Sequence, residues 1–168
     1  MRAVPAALAI GLLLAGCERG KPDAADGVGG AGAGAALEQA AIDAGIVTDP
    51  AKLNPVGAYA SETDRVCIVP QEGGYRVGAS VDYGDRQSCV ARGTASGRTK
   101  LRFEFGDECT FEADFDGGRV SFPATLPSAC DTRCTGRATL TALSASRLSD
   151  AEAEARAMRG PDKQPLCG

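Results

Sequence analysis

Apolar and polar residues alternate along most of the chain between residues 65 and 122. In residues 75–83, 101–105 and 109–115 the apolar side chains occupy odd-numbered positions, whereas at Val120 and Phe122 they occupy even-numbered ones. A period of two is typical of strands with one buried face. The pattern therefore predicts several short antiparallel strands, with a change of parity between the third and fourth of these segments.

Two turns predict how these strands pair. A two-residue Asp116-Gly117 hairpin would explain the change of parity and would place Phe115 opposite Gly118. A three-residue loop, residues 106–108, keeps the parity and places Phe103 opposite Phe111. On the outer face, this register sets Lys100 and Arg119 opposite Asp114 and sets Arg102 opposite Glu112, which are favourable pairings.

A turn at residues 96–98 predicts the preceding hairpin. It would pair Ala91 with Phe103 and Cys89 with Phe105. The same register sets Arg92 beside Arg102, and this like-charge contact counts against it.

The pattern predicts a mainly β fold, a small antiparallel meander barrel of about seven strands. Closure of the meander would remove the exposed sheet edges, and phenylalanine and alanine side chains would fill the interior. A hollow barrel that binds a small apolar ligand beneath Tyr75 and Tyr83 is the alternative. Short helices are expected at residues 36–47 and from an N-cap at Ser149, with Glu152 completing a capping box, to Met158. The predicted strands are residues 65–69, 74–83, 89–95, 99–105, 109–115, 118–122 and 136–145.

Composition excludes several classes of function. The chain has no histidine, which excludes catalytic triads that use imidazole and zinc sites with histidine ligands. It also has no tryptophan. The formal net charge is −4, which argues against a nucleic-acid partner. We expect no cofactor, no metal and no catalytic constellation.

Six of the seven cysteines follow the N-terminal region, and an even number favours three disulfides. The predicted register places Cys89 and Cys109 two strands apart, too far for a bond between them. We therefore expect these two to pair with Cys130 and Cys134 in some order, and Cys67 to pair with Cys167. The alternatives are a local Cys130–Cys134 bond with Cys89–Cys109, or a metal site at Cys130 and Cys134.

The N-terminus carries a membrane-targeting pattern. One basic residue, Arg2, precedes an apolar run over residues 6–15, which is typical of a signal peptide. The run ends in Leu14-Ala15-Gly16-Cys17, which resembles the lipobox of bacterial lipoproteins. The resemblance implies a signal peptide at residues 1–16 and acylation of Cys17. With Glu18 next, it also implies an outer-membrane protein that faces the periplasm.

Residues 17–36 would then form an acylated, flexible Gly/Ala tether, and residues 37–168 a single disulfide-rich barrel domain. The tether has almost no apolar residues to bury, so folding could not offset its ordering entropy. A lipid at Cys17 would anchor the domain to the membrane without a transmembrane helix.

The candidate binding loop consists of Ser96, Gly97, Arg98 and Lys100, at a basic hairpin tip with the sequence Gly-Thr-Ala-Ser-Gly-Arg-Thr-Lys. This tip, with the small disulfide-bonded barrel, resembles the membrane-bound lysozyme inhibitors, lipoproteins whose loops carry serine and lysine. The resemblance implies a non-enzymatic module that binds or inhibits an envelope protein or cell-wall partner. The aromatic residue usual in those loops is absent here.

An enzyme that acts on cell-wall glycans is the alternative function. Glu104, Glu112 and Asp114 could supply the pair of carboxylates that glycoside hydrolysis requires. A solvated outer face of the sheet is the simpler interpretation, because Glu112 and Asp114 face basic partners in the predicted register. The oligomeric state is not predicted.

Acylation of Cys17 can be tested directly. The Cys17→Ser chain should lack the lipid, because the thiol is the atom that the diacylglyceryl group would modify. Mass spectrometry of the N-terminal peptide should show a lipid-sized decrease relative to the wild-type protein. An identical unlipidated terminus in both proteins would contradict the lipoprotein interpretation.

Overall fold

The computed structural model describes residues 29–168 and forms a closed antiparallel barrel of eight strands, each hydrogen-bonded to the next. This confirms the mainly β, disulfide-bonded barrel and corrects the strand count. One 3₁₀ turn, Pro50–Lys52, precedes the first strand, and a second, Ser128–Arg133, lies between the seventh and the eighth strand. The strands are β1 (Gly57–Ala60), β2 (Asp64–Gln71), β3 (Gly74–Asp82), β4 (Ser88–Gly97), β5 (Lys100–Glu104), β6 (Thr110–Phe115), β7 (Arg119–Ser121) and β8 (Ser144–Ser149); the helices are α1 (Gly29–Asp43) and α2 (Glu152–Ala157).

Strand β1 closes the barrel and was not predicted. It pairs with β2 on one side and with β8 on the other, where Tyr59 lies opposite Arg147. Its sequence, Gly-Ala-Tyr-Ala, has only one large apolar residue, so it carries little signal of period two. The strand is recognisable only from its partners.

The β5–β6 register is confirmed. Phe103 lies opposite Phe111, and Arg102 lies opposite Glu112. The β4–β5 prediction is wrong, because Ala95 rather than Ala91 faces Phe103. The turn lies two residues later than expected, and this shift separates Arg92 from Arg102 and removes the like-charge contact.

The β6–β7 prediction is also wrong in register, although it is correct in parity. Phe115 pairs with Val120, so the turn residues are Gly117 and Gly118 rather than Asp116 and Gly117. Asp116 Oδ1 accepts hydrogen bonds from the backbone amides of Gly118 and Arg119 at 2.8 and 2.7 Å. Asp116 thus precedes the two turn residues instead of being one of them. The register shifts by two residues as a result, and Asp114 lies opposite Ser121 and not Arg119.

The predicted strand at residues 136–145 is wrong for most of its length. Residues 136–143 form turns, and the strand β8 begins only at Ser144. Ala138, Leu140 and Leu143 are buried in the barrel core. The alternation that predicted a strand instead reflects a loop that covers one end of the barrel with these side chains.

Both helices differ from prediction. Helix α1 begins at Gly29, seven residues before the predicted start at residue 36. It ends at Asp43, and Gly45, with φ +71°, follows the last turn. The proposed signal peptide, Cys17 and the first part of the tether lie outside the described residues.

The predicted capping box of the C-terminal helix does not form. The hydroxyl of Ser149 accepts the amide of Ala151 at 3.1 Å, and Ala151 is the N-cap residue of α2. The helix covers residues 152–157 with Met158 as its C-cap. Ser149 therefore holds the chain in the turn before the helix instead of capping it.

Phenylalanine side chains fill the barrel interior. The Phe103 ring lies 5.8 Å from that of Phe111 and 5.0 Å from that of Phe122, measured between centroids. Phe105 contacts the same group at 5.6 Å. Tyr75, which the hollow-barrel interpretation places above a cavity, packs against this core. Side chains therefore fill the interior, and the hollow-barrel interpretation is wrong.

Three disulfides join the cysteines as predicted: Cys89–Cys134, Cys109–Cys130 and Cys67–Cys167, with Cα–Cα separations of 4.0, 4.8 and 6.0 Å. The first two attach the 3₁₀ turn Ser128–Arg133 and its neighbour to β4 and β6. We call this the cystine end of the barrel. Because Cys130 and Cys134 are bonded to Cys109 and Cys89, they form neither the alternative Cys130–Cys134 bond nor a thiolate metal site.

The third disulfide fixes the C-terminal segment, residues 158–168, to the outer wall. Cys67, Leu166 and Cys167 form a second apolar cluster there with side chains from β1, β2 and α2. A Cβ at Gly78 would lie 2.2 Å from the carbonyl oxygen of Leu166, so only glycine allows this close approach. We call residues 158–168 the C-terminal strap.

An ion pair also holds the strap. Arg92 donates to both carboxylate oxygens of Asp162, at 2.9 and 2.7 Å, and to the carbonyl oxygen of Pro165 at 2.8 Å. Partial burial alone would raise the pKa of Asp162, but the hydrogen bonds from Arg92 and from the Gln164 amide lower it below its usual 3.8. The carboxylate is thus more acidic in the folded protein than in the unfolded chain.

Asp162→Asn should make the contribution of this pair measurable as a function of pH. A lowered pKa stabilises the fold above pH 3.8, and this stabilisation is lost as the pH falls through the folded-state value. Because about a third of each side chain is exposed, the variant should lose only about 0.5 to 1 kcal/mol at neutral pH. Denaturant unfolding should show this difference shrinking as the pH falls below 3.8 and disappearing once the Asp162 carboxyl is protonated in the folded protein.

Asp131→Asn is the matched control, since Asp131 is exposed and its side chain has no ion pair among residues 29–168. Equal stability losses in the two variants at neutral pH would contradict a role for the Arg92–Asp162 pair.

Candidate functional site

The basic hairpin tip, residues 96–100, joins β4 to β5 at the end of the barrel opposite the cystine end. The meander places the β2–β3, β4–β5 and β6–β7 turns together there, and we call this the tip end. Ser96, Gly97, Arg98 and Lys100 are all exposed, as the sequence predicts for a binding loop. The structure therefore brings the four predicted residues together on one accessible turn.

The tip has a defined backbone conformation. Gly97 has φ +105°, and a Cβ there would lie 2.0 Å from the carbonyl oxygen of Lys100. The carbonyl of Thr99 accepts the amide of Phe115 at 2.8 Å, which fastens the turn to the end of β6. Glycine is required at position 97 for both conformation and space.

Arg98 connects the tip to the chain segment that enters the barrel, residues 49–56. Its guanidinium donates to the carbonyl oxygen of Ala51 in the 3₁₀ turn. In the same segment Leu53 and Pro55 are buried, so the segment covers the tip end. The tip is thus supported from beneath by a packed segment and not only by its own turn.

Arg147, which the sequence analysis did not single out, holds that segment in place. Its three guanidinium nitrogens donate to the carbonyl oxygens of Gly117, Val56 and Asn54, at 3.0, 2.8 and 2.7 Å. Its charged carbon lies 4.9 Å from the centre of the Tyr59 ring. Nothing in the surrounding sequence, Ser-Ala-Ser-Arg-Leu-Ser, distinguishes it from an exposed strand residue.

Tyr59 supports the same segment through its hydroxyl, which donates to the carbonyl oxygen of Pro55 at 2.7 Å. Burial raises the pKa of the Tyr59 phenol above its ordinary value. The phenol therefore keeps its proton and remains a hydrogen-bond donor at neutral pH.

Lys100 forms an ion pair with Asp114 across the β5–β6 hairpin. The hydrogen bond that Lys100 donates to Asp114, followed by the charge of that carboxylate, raises the pKa of Lys100. Both side chains are about two-thirds exposed, so water screens the pair and a partner can displace Asp114. Lys100 is therefore charged and available for binding.

The carboxylates of the glycosidase alternative lie on this outer wall. Glu104 accepts a hydrogen bond from Arg102 at 3.0 Å, and Asp114 is bound by Lys100. Glu112 lies opposite Arg102. All three are exposed on a convex strand surface, and each has a basic neighbour. This arrangement supports their interpretation as a solvated, charge-balanced face.

Within residues 29–168 no helix is both long and apolar enough to cross a membrane. In the same range, no three or more Cys, Asp or Glu side chains converge as a metal site would require.

The tip conformation can be tested with Gly97→Ala. The substitution combines an unfavourable positive φ with a clash against the Lys100 carbonyl, so we expect a loss of about 3 kcal/mol in unfolding free energy. Gly73→Ala, in the β2–β3 turn, is the matched control, since Gly73 has φ +77° with nothing within 4 Å of its Cβ position. That variant should lose about 1 kcal/mol. Equal losses by thermal unfolding would contradict the close packing of the tip.

Comparison with protein-family models, with curated proteins and with solved structures finds no match to this chain. The function therefore has to be inferred from the site itself. Its chemistry is a rigid, exposed turn that presents a hydroxyl, a guanidinium and an ammonium group.

Proposed function

We propose that this chain is an envelope lipoprotein whose barrel acts as a non-enzymatic binding or inhibitor module. In this proposal a lipid on Cys17 anchors the protein in the outer membrane, facing the periplasm. The sequence Leu14-Ala15-Gly16-Cys17 supports the anchor. The three disulfides agree with this location, because disulfides persist in oxidising compartments such as the periplasm.

One observation carries the binding proposal: the exposed tip is held in a single conformation. The Thr99 carbonyl and Arg98 fix it to Phe115 and to Ala51, and within the tip the backbone of Gly97 lies close to the Lys100 carbonyl. A loop that is already ordered loses little conformational entropy when it binds. The polar side chains of Ser96 and Lys100 can therefore contribute directly to affinity.

The chemistry of the tip favours an acidic partner. Lys100 is an exposed cation whose present partner is a carboxylate, and Ser96 adds a hydroxyl donor beside it. Carboxylates on a partner can take the place of Asp114 and form charge-assisted hydrogen bonds. The resemblance to lysozyme inhibitors fits this chemistry, since the cleft of a glycosidase contains catalytic carboxylates.

We infer that the partner is an envelope protein or a cell-wall component with clustered carboxylates, and that a lysozyme is the first candidate. Binding requires no cofactor in this proposal and no nucleic acid. The charge-balanced outer wall, with Glu104 and Glu112 beside Arg102, does not favour glycan hydrolysis as a second function, because each carboxylate already has a basic neighbour.

Ser96→Ala with Lys100→Gln tests the tip. Both side chains are exposed, and water screens the ion pair of Lys100, so the melting temperature should hardly change. Loss of one charge-assisted hydrogen bond should weaken binding about tenfold. Binding is measured by surface plasmon resonance to egg-white lysozyme and by co-sedimentation with purified peptidoglycan.

Lys163→Gln, an exposed lysine in the C-terminal strap, controls for the general loss of positive charge. It should bind as the wild-type chain does. The proposal fails if the wild-type protein binds neither probe, or if the tip variant and the Lys163→Gln control bind equally well.

A further inference from the structure

A groove of about 620 Å³ lies on the outer wall, between strands β1 and β8 and helix α2. Its apolar lining comes from small or flexible side chains, and Leu148 is 68% exposed there. An exposed leucine beside an open apolar groove is surface that a ligand can remove from water. The apolar lining residues are Ala58, Ala60, Leu148, Ala157 and Met158.

A smaller polar pocket of about 270 Å³ adjoins this groove at the β1–β2 turn. Two residues line both spaces, Arg65 and Arg159, so they stand at the junction between the polar and the apolar part. The combined site thus has an apolar half, a polar half and two guanidinium groups between them.

The two arginines have unused donors. Among the described residues the side chain of Arg65 has no hydrogen bond and no ion pair, and the side chain of Arg159 donates only one hydrogen bond, to the carbonyl oxygen of Lys163 at 3.1 Å. The acidic residues nearby, Glu62, Asp82 and Glu154, each line only one of the two spaces. The lining thus holds three carboxylates and two guanidinium groups, and the guanidinium groups are the charged side chains that line both spaces.

The barrel closure argues against a peptide as the occupant. Strand β1 is hydrogen-bonded to β2 and to β8, so its edges are already paired. An extended peptide could not add to the sheet, and its backbone groups would lose water without gaining partners. A ligand with one charged head and no further polar groups avoids this cost.

We propose that this site binds a free medium-chain fatty acid, with its carboxylate between Arg65 and Arg159 and its alkyl chain along the apolar groove. Arginine pairs with carboxylates through two parallel hydrogen bonds, which fixes the head group. The chain would cover Leu148 and Met158, both of which line the groove. This site lies on a different part of the barrel from the tip, and the proposal does not depend on the function proposed for the tip.

Decanoate below its micelle concentration is the probe, titrated into the full chain and measured by calorimetry and by amide chemical shifts in NMR spectra. Shifts should concentrate at Ala58, Ala60 and the residues of α2. Arg65→Gln should raise the dissociation constant about tenfold, the equivalent of one charge-assisted hydrogen bond. Leu148→Gln should raise it several-fold through lost apolar contact.

Arg137→Gln is the matched control, because Arg137 is exposed and has no ion pair or hydrogen bond within residues 29–168. It should bind decanoate as the wild-type chain does, and 1-decanol, which lacks the charge, should bind more weakly and be insensitive to Arg65→Gln. Absence of decanoate binding, shifts elsewhere on the barrel, or equal binding by Arg65→Gln and Arg137→Gln would overturn the proposal. So would binding to phosphatidylglycerol vesicles without any binding of decanoate.

Discussion

The guanidinium of Arg147 is the contact on which the tip end of this barrel depends. It projects from β8 beside the closing pair of strands, and it satisfies three backbone carbonyls that no strand satisfies, those of Asn54, Val56 and Gly117. The rings of Tyr59 and Phe115 lie 4.9 and 5.4 Å away, so the charge also interacts with two aromatic faces. One side chain thereby connects the entering segment, the β6–β7 turn and the closing strands.

The two ends of the barrel are consequently held by different interactions. At the cystine end, two disulfides attach the long β7–β8 connection to β4 and β6, and each such bond typically contributes about 2 to 4 kcal/mol. At the tip end, Arg147 and Arg98 hold the entering segment in place through hydrogen bonds to its backbone carbonyls. The disulfides are confined to the cystine end, and the turn at the tip end is ordered by hydrogen bonds while its side chains stay exposed.

Sequence patterns predicted the parts of the fold that have two independent signals. The β5–β6 register follows from both the apolar parity and the outward charges, and it is correct. The disulfide pairing was inferred from the separation of Cys89 and Cys109 by one intervening strand. It is correct although the β4–β5 register used for it is wrong, because β5 still lies between β4 and β6. The β4–β5 hairpin had a turn signal contradicted by its charges, Arg92 beside Arg102, and it is wrong. The exposure of the tip residues was predictable, but their support by Ala51 and Arg147 was not, because it joins segments about fifty and ninety residues apart.

The C-terminal strap shows how a stabilising feature can also create a binding site. Cys67–Cys167 and the Arg92–Asp162 pair hold the strap and α2 against strands whose outer faces are only partly apolar. The apolar cluster beneath the helix is therefore small, and the groove beside it retains exposed apolar surface at Leu148. Arg159 belongs to the strap, whereas Arg65 belongs to β2, so only the docked strap brings the two guanidinium groups to the same junction. The affinity of the proposed fatty-acid site must therefore depend on the contacts that keep the strap in place.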